Sequence, residues 1–242
     1  MQRCVEGVVI SELDFRETSK IINVMTKEFG KIGIIAKGAK QIKSKLRTGT
    51  MAITHGFFHV YYKENKLSIL KEVEVINDFL NIKSDLSKLG AATYIIDVFN
   101  QVTKNEFNEA WYNDFLATLE KIDEGYDAKI ITNIFSLKVM GMLGIMPELN
   151  SCITCGDKAN IVTFSIAKGG FVCEDCCMGD QVFSDKTIKL LRMLSYVDIA
   201  KITKLDIKRE TAKEIDLIIN QYFEEYSGLY LNNKKIMEKL NA

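Results

Sequence analysis

Proline and histidine are almost absent from this chain, which holds one proline and two histidines in 242 residues. Charged or polar residues interrupt every apolar run, 128 to 146 included, before it reaches the length of a bilayer span, so no membrane partner is expected. The first seven residues lack the apolar core and small-residue cleavage site of an export signal, so a cytoplasmic, nucleoid-associated protein is the expectation. A phosphate loop is missing as well. The nearest approach, Gly33 to Lys40, displaces the lysine and lacks the hydroxyl, which argues against ATP hydrolysis. No His-x-Glu triplet exists, which excludes a zinc deaminase. His55 and His59 sit four apart in an expected strand and share a face, as a metal pair or as partly buried strand histidines. With no base beside a nucleophile and no open metal position, the chain is not expected to be an enzyme.

What the chain does have is a cysteine pattern. Cys152 and Cys155, then Cys173 and Cys176, form two Cys-x-x-Cys pairs separated by seventeen residues. Each pair makes a tight knuckle whose thiolates converge, and two knuckles close a tetrahedral zinc site. Gly156 follows the first pair where a knuckle often needs positive φ, and Gly169-Gly170 precedes the second where a strand returns. Four thiolates leave no place for water, so the zinc would be structural. A redox-active pair and metal-free buried cysteines are the competing readings. Cys177 could replace Cys176 as a ligand, whereas Cys4, in an apolar stretch, reads as a small core residue.

Lysine plus arginine equals aspartate plus glutamate, at 32 each. That balance hides segregation. From 27 to 47, Lys27, Lys31, Lys37, Lys40, Lys43, Lys45 and Arg47 are opposed only by Glu28. From 97 to 127 the sign reverses, with eight acids against Lys104 and Lys121. One face for a polyanion and another for solvent or a different partner is the functional reading; two solvated faces is the plain one.

Short runs rich in Val, Ile and aromatics predict strands at Val5 to Leu13, Ile21 to Lys27, Ile32 to Ala36, Met51 to Tyr62 and Leu67 to Ile76. Turn residues at 29–31 and 63–66 join strands two to three and four to five as hairpins. Five such strands fit an OB-fold barrel, on which 37–47 would be a basic loop for single-stranded nucleic acid. Helical periodicity follows from about Phe79, with helices around 86–99, 111–119 and 130–143, the last apolar on nearly all sides and stopped by Gly144 and Pro147. Further helices are expected at Lys186 to Tyr196, Arg209 to Tyr226 and Lys234 to Leu240. The expected architecture is α+β and multidomain: an OB-fold DNA-binding domain over 1–79, the first part of a helical domain over 80–150, a Cys4 zinc module over 151–180 inserted in it, and the second helical part over 181–242.

Taken in order, these stretches resemble the RecO family of bacterial recombination-repair proteins. Thr26 to Lys31 and Ala36-Lys37-Gly38-Ala39 resemble the family's Thr-x-x-x-Gly-Lys and Ala-Lys-Gly-Ala elements, followed by a basic stretch at Lys43 to Arg47. Tyr94 to Asp97 resembles its Tyr-Leu-Leu-Glu helix, and Leu143 to Leu149 its Leu-Gly-x-x-Pro-x-Leu link into Cys-x-x-Cys-Gly. The resemblance implies a non-enzymatic protein that binds single- and double-stranded DNA and anneals complementary strands. It also implies partnership with RecR and with single-stranded-DNA-binding protein, and help in loading RecA. The lysines and arginine of 27–47 are the expected DNA contacts. An alternative makes the protein an adaptor whose helical domain docks the acidic tail of single-stranded-DNA-binding protein, with the cations of 186–192 or Lys234-Lys235 as anion partners.

Overall fold

A computed structural model describes residues 1–179 and 181–230. Among them the chain divides into two compact units, with the break between Glu124 and Gly125.

The first unit begins with β1 (Gln2–Phe15), β2 (Ser19–Thr26), β3 (Gly30–Ala36), β4 (His55–Tyr61) and β5 (Ser68–Asn77), closed into a barrel in the order β1-β2-β3-β5-β4. β2 with β3 and β4 with β5 pair as antiparallel neighbours, β1 closes onto β4, and β3 lies parallel to β5. This is the OB-fold arrangement. Alternation on the strands sends Val5, Val9, Ile22, Val24, Ile34, Phe58, Val60 and Leu70 inward to one core. The curvature depends on two glycines facing each other across β1 and β4, Gly7 and Gly56. A Cβ on Gly7 would lie 2.6 Å from Val24 Cγ1, and one on Gly56 would lie 2.5 Å from the Glu74 carbonyl oxygen.

Two strand-level expectations are corrected. Residues 51–54 are not strand: a 3₁₀ turn at Thr48–Thr50 precedes them, and Ile53 takes a left-handed φ of 55°. Cys4 is exposed, because Val5 takes the inward position and places its neighbour outside, opposite His59.

Among the described residues this unit continues with three α-helices: α1 (Leu80–Ser84), α2 (Leu86–Val102) and α3 (Glu109–Asp123). Asp85 caps α2 by accepting from the Ser87 and Lys88 amides, and Asn108 caps α3 through the Trp111 amide. α2 and α3 meet through the stacked rings of Phe99 and Phe115, centroids 4.5 Å apart.

The second unit is built on α4 (Ala128–Met142), buried on most of its surface as its sequence predicts. It ends in a Schellman motif: the Gly144 amide donates to Gly141, the Ile145 amide donates to Met140, and Gly144 has φ 70°. Pro147 follows. The hairpin of β6 (Ile161–Ser165) and β7 (Gly170–Cys173) comes next, then α5 (Asp185–Tyr196) and α6 (Arg209–Tyr226), which pack with α4. Arg192 fastens α5 to the chain entering the cysteine region, donating to the Leu149 carbonyl at 2.7 Å while its guanidinium lies 5.5 Å from the Phe171 ring centre. The helix expected over 234–240 lies outside the described residues.

Gly56→Ala forces either the new methyl or the Glu74 backbone to move, so the substitution is expected to destabilise the barrel by about 1–3 kcal/mol. Chemical unfolding followed by circular dichroism reads this as a lower midpoint at constant slope.

Candidate nucleic-acid interface and metal centre

The four cysteines at 152, 155, 173 and 176 come together with their sulfurs all within 4.8 Å of one another. Tetrahedral coordination at a metal–sulfur distance of about 2.3 Å requires sulfurs about 3.8 Å apart. Cys155 Sγ and Cys173 Sγ stand at 3.6 Å, too far for a disulfide and close to that edge length. The backbone explains the convergence. Gly156, at φ 80°, returns its amide to the Cys152 carbonyl to close the first knuckle. On the other side, Gly169 turns at φ 82° and Gly170 lies where a Cβ would sit 2.7 Å from the Glu148 carbonyl oxygen. β7 then delivers Cys173, and a 3₁₀ turn at Glu174–Cys176 delivers Cys176. Cys177 lies outside the quartet.

Three of the four thiols depart from their ordinary acidity. Burial acts to raise the Cys152 thiol, but amides of Cys173, Cys155 and Thr154 outweigh it and bring it down to about 6. The Cys173 and Cys155 thiols push Cys176 up to about 12. Cys155 is lowered by the Asp157 amide and raised further by the Cys152 and Cys173 thiols, ending above its ordinary value. Thus one sulfur carries the charge while neighbours retain protons, and a divalent metal would replace those protons. Four sulfur donors fit a tetrahedral thiophilic metal and leave it no substrate position.

The histidines take a different course. His55 is buried with Nε2 3.1 Å from Glu6 Oε1, and burial lowers its pKa. His59 Nε2 meets Glu74 Oε1 at 2.9 Å. Each imidazole is paired with a carboxylate.

The seven cations of 27–47 divide into two sets. Lys27 pairs with Glu109 at 3.2 Å, Lys31 donates to Asn100 Oδ1 at 3.0 Å, and Lys40 pairs with Asp14 at 2.7 Å. The hydrogen bond from Lys40 holds the Asp14 carboxyl below the usual range. Glu12 is engaged by Lys20. Lys37, Lys43, Lys45 and Arg47 are exposed and, among the described residues, make no ion pair. The connection carrying them is anchored: Ala39 is fully buried, Leu46 packs against the barrel core, and the Lys40 amide donates to the Thr18 carbonyl at 2.9 Å.

Two concavities flank this connection. One, of about 680 Å³, is lined by Phe15, Arg16, Thr18, Ile35, Lys37, Gln41 and their neighbours. The other, of about 570 Å³, is lined by Gln2, Lys45, Leu46, His59, Lys71 and Glu72. Beside the second, Tyr61 is exposed with Lys71 Nζ 4.7 Å from its ring centre. Arg16 is the residue sequence reasoning missed. It is exposed, holds a left-handed φ of 56°, and places its guanidinium 5.1 Å from the centre of the Phe15 ring. Its signal was positional: the loop joining the first two strands of an OB-fold is a ligand-binding loop. In the second unit Lys186 and Lys189 are exposed on α5, whereas Arg192 is committed to backbone carbonyls. Lys234 and Lys235 lie outside the described residues.

A closed OB-fold barrel with exposed cations that make no ion pair among the described residues, followed by helices and a four-cysteine cluster that could hold a metal, defines the architectural class of this chain. Residues 1–79 match the family described as "Recombination protein O N terminal" and residues 83–235 that described as "Recombination protein O C terminal". DNA repair protein RecO of Listeria monocytogenes serotype 4b (strain CLIP80459) is 34% identical over 245 residues, covering 100% of this chain and 95% of that protein. DNA repair protein RecO of Halalkalibacterium halodurans is 34% identical over 241 residues, covering 98% and 94%. The chain belongs to the recombination protein O family of DNA repair and recombination proteins.

At pH 7 the protonated Cys155 and Cys176 thiols must give up their protons on metal uptake, so about two protons or more are expected to leave per metal bound. Calorimetric titration in buffers of different ionisation enthalpy counts them. Cys155→Ser combined with Cys176→Ser should abolish stoichiometric metal and lower the unfolding temperature; unchanged metal content would contradict the assignment.

Proposed function

We propose that this protein is a recombination mediator that binds single- and double-stranded DNA on the barrel and anneals complementary strands. Acting with RecR, it helps RecA displace single-stranded-DNA-binding protein. The observation that carries the reading is the gathering of Lys37, Lys43, Lys45 and Arg47, exposed and unpaired among the described residues, on one anchored connection between two concavities. Complementary strands repel through their phosphates, and cations between them lower that repulsion while base pairing drives the reaction. Lys37 faces one concavity and Lys45 the other, which suits one strand on each side. Arg16 and Phe15 supply a further phosphate contact and an apolar surface for a base. Lys27, Lys31 and Lys40 contribute less, because their present partners must be displaced first.

The metal is zinc held by Cys152, Cys155, Cys173 and Cys176, and its role is to staple the hairpin region of the second unit. The chemistry of DNA mediation needs no catalytic group, which accords with a metal whose coordination is complete.

The test is fluorescence annealing of complementary oligonucleotides, bare and coated with single-stranded-DNA-binding protein, without ATP. Wild type is expected to accelerate annealing, and Lys43→Glu/Lys45→Glu/Arg47→Glu to lose most of that acceleration while keeping its metal and its unfolding transition. Equal annealing by the variant would remove the connection from the mechanism.

A further inference from the structure

We propose that Ile42 is a base-contacting wedge: its side chain lies against the face of an unpaired base of the bound strand and keeps neighbouring bases unstacked. The inference rests on the DNA-binding reading above and adds a residue that touches bases where the lysines touch phosphates.

Ile42 is 87% exposed, although isoleucine gains strongly from burial. The exposure is built into the chain. The segment that presents Ile42 is pinned at one end by fully buried Ala39 and at the other by Leu46 packed on the barrel core. Between these pins, consecutive turns are closed by the Gln41 amide on Gly38, the Ser44 amide on Gln41 and the Arg47 amide on Ser44, at 3.1, 3.0 and 3.2 Å. Thr50 Oγ1 adds a bond to the Leu46 carbonyl at 2.7 Å. A six-residue projection held this way cannot fold its apex back onto the barrel. Turn apices usually carry Gly, Asn, Asp or Ser, and an apolar β-branched residue there is out of keeping with the turn chemistry.

Single exposed apolar residues are common and mean little alone. The surroundings decide the occupant here. Lys43 adjoins Ile42, Lys37 precedes it and Lys45 and Arg47 follow on the same connection, all without ion pairs among the described residues, and Gln41 lines the neighbouring groove. A ligand for this apex must offer negative charge at short intervals and an apolar surface between the charges. A polynucleotide strand does both, with phosphates for the lysines and a base face for the isoleucine. Proteins that hold bases apart use Ile, Leu, Phe or Met in this way, at the cost of stacking, and recover that cost through contacts to the opened strand. Bases held unstacked are also the ones presented for pairing with a second strand.

The experiment is titration of single-stranded DNA bearing 2-aminopurine, whose emission rises on unstacking, with full-length wild type, Ile42→Ser and Ile42→Phe over a range of salt. Wild type and Ile42→Phe are expected to raise the emission. Ile42→Ser should lose at least about half of that rise and bind about three- to tenfold more weakly, the scale of one apolar side chain. Its salt dependence should equal that of wild type, since no phosphate contact is lost. The side chain is exposed, so both variants should keep the wild-type circular dichroism and unfolding temperature. Wild-type affinity and emission in Ile42→Ser would overturn the wedge while leaving DNA binding intact. A wild type that binds no single-stranded DNA would overturn both.

Discussion

Closure of the barrel is the constraint on which the candidate interface depends. β3 lies beside β5, with Ile34 opposite Ser68 and Ile35 opposite Ile69, while β4 is taken by β1. A third strand that neighbours the fifth cannot turn directly into the fourth, so residues 37–54 must cross the end of the barrel. The close facing of Gly7 and Gly56 permits the tight coil that makes this closure work. Buried Ala39 and Ile53 and half-buried Leu46 tie the crossing segment down, and Lys37, Ile42, Lys43, Lys45 and Arg47 are left exposed around these ties. Topology therefore turns a basic stretch of sequence into a single cationic projection.

Net neutrality of the chain coexists with this projection because the charges are distributed in pairs of unequal kind. Acids near the barrel are used up on particular lysines: Glu12 on Lys20, Asp14 on Lys40, Glu109 on Lys27. Exposed pairs of this sort are screened by water and contribute little to stability, so their importance lies in which cations they occupy and which they leave. In the second unit the problem is different. The hairpin of β6 and β7 is short, five and four residues, and a metal held by the four cysteines adjoining β7 would supply cross-links that so small an element cannot obtain from its own core.

The parts of this architecture that were legible in the sequence are those set by local periodicity or spacing. The five strands followed from short runs rich in Val, Ile and aromatics with turn residues between them, α4 from an apolar pattern on nearly all sides, and the cysteine quartet from two knuckles and their glycines. What escaped depended on distant residues. Cys4 and Val5 are both apolar, so only the closed barrel decides which faces inward. α1 is five residues long, too short for a helical period to declare itself. Residues 51–54 look like strand but are bent by the preceding turn, where Gly49 lies under Val73 and a Cβ would come within 2.4 Å of its methyl. The engagement of Lys31 by the Asn100 side-chain amide and of Lys40 by the Asp14 carboxylate involves partners 69 and 26 residues away, beyond any reading of the basic run alone. Arg16 emerged only when the loop joining β1 and β2 was seen beside Lys37.

The most direct test of this account is the salt dependence of single-stranded DNA binding by the full-length protein. With Lys37, Lys43, Lys45 and Arg47 as the phosphate contacts, the plot of log affinity against log salt has an expected slope of about −3. Replacing those four with glutamine should cut the slope to about −1 or shallower, the share left to Arg16 and the paired lysines, and remove most of the affinity at low salt, with the fold intact. A slope of about −3 that survives the fourfold replacement would place the DNA elsewhere on the molecule and contradict the account.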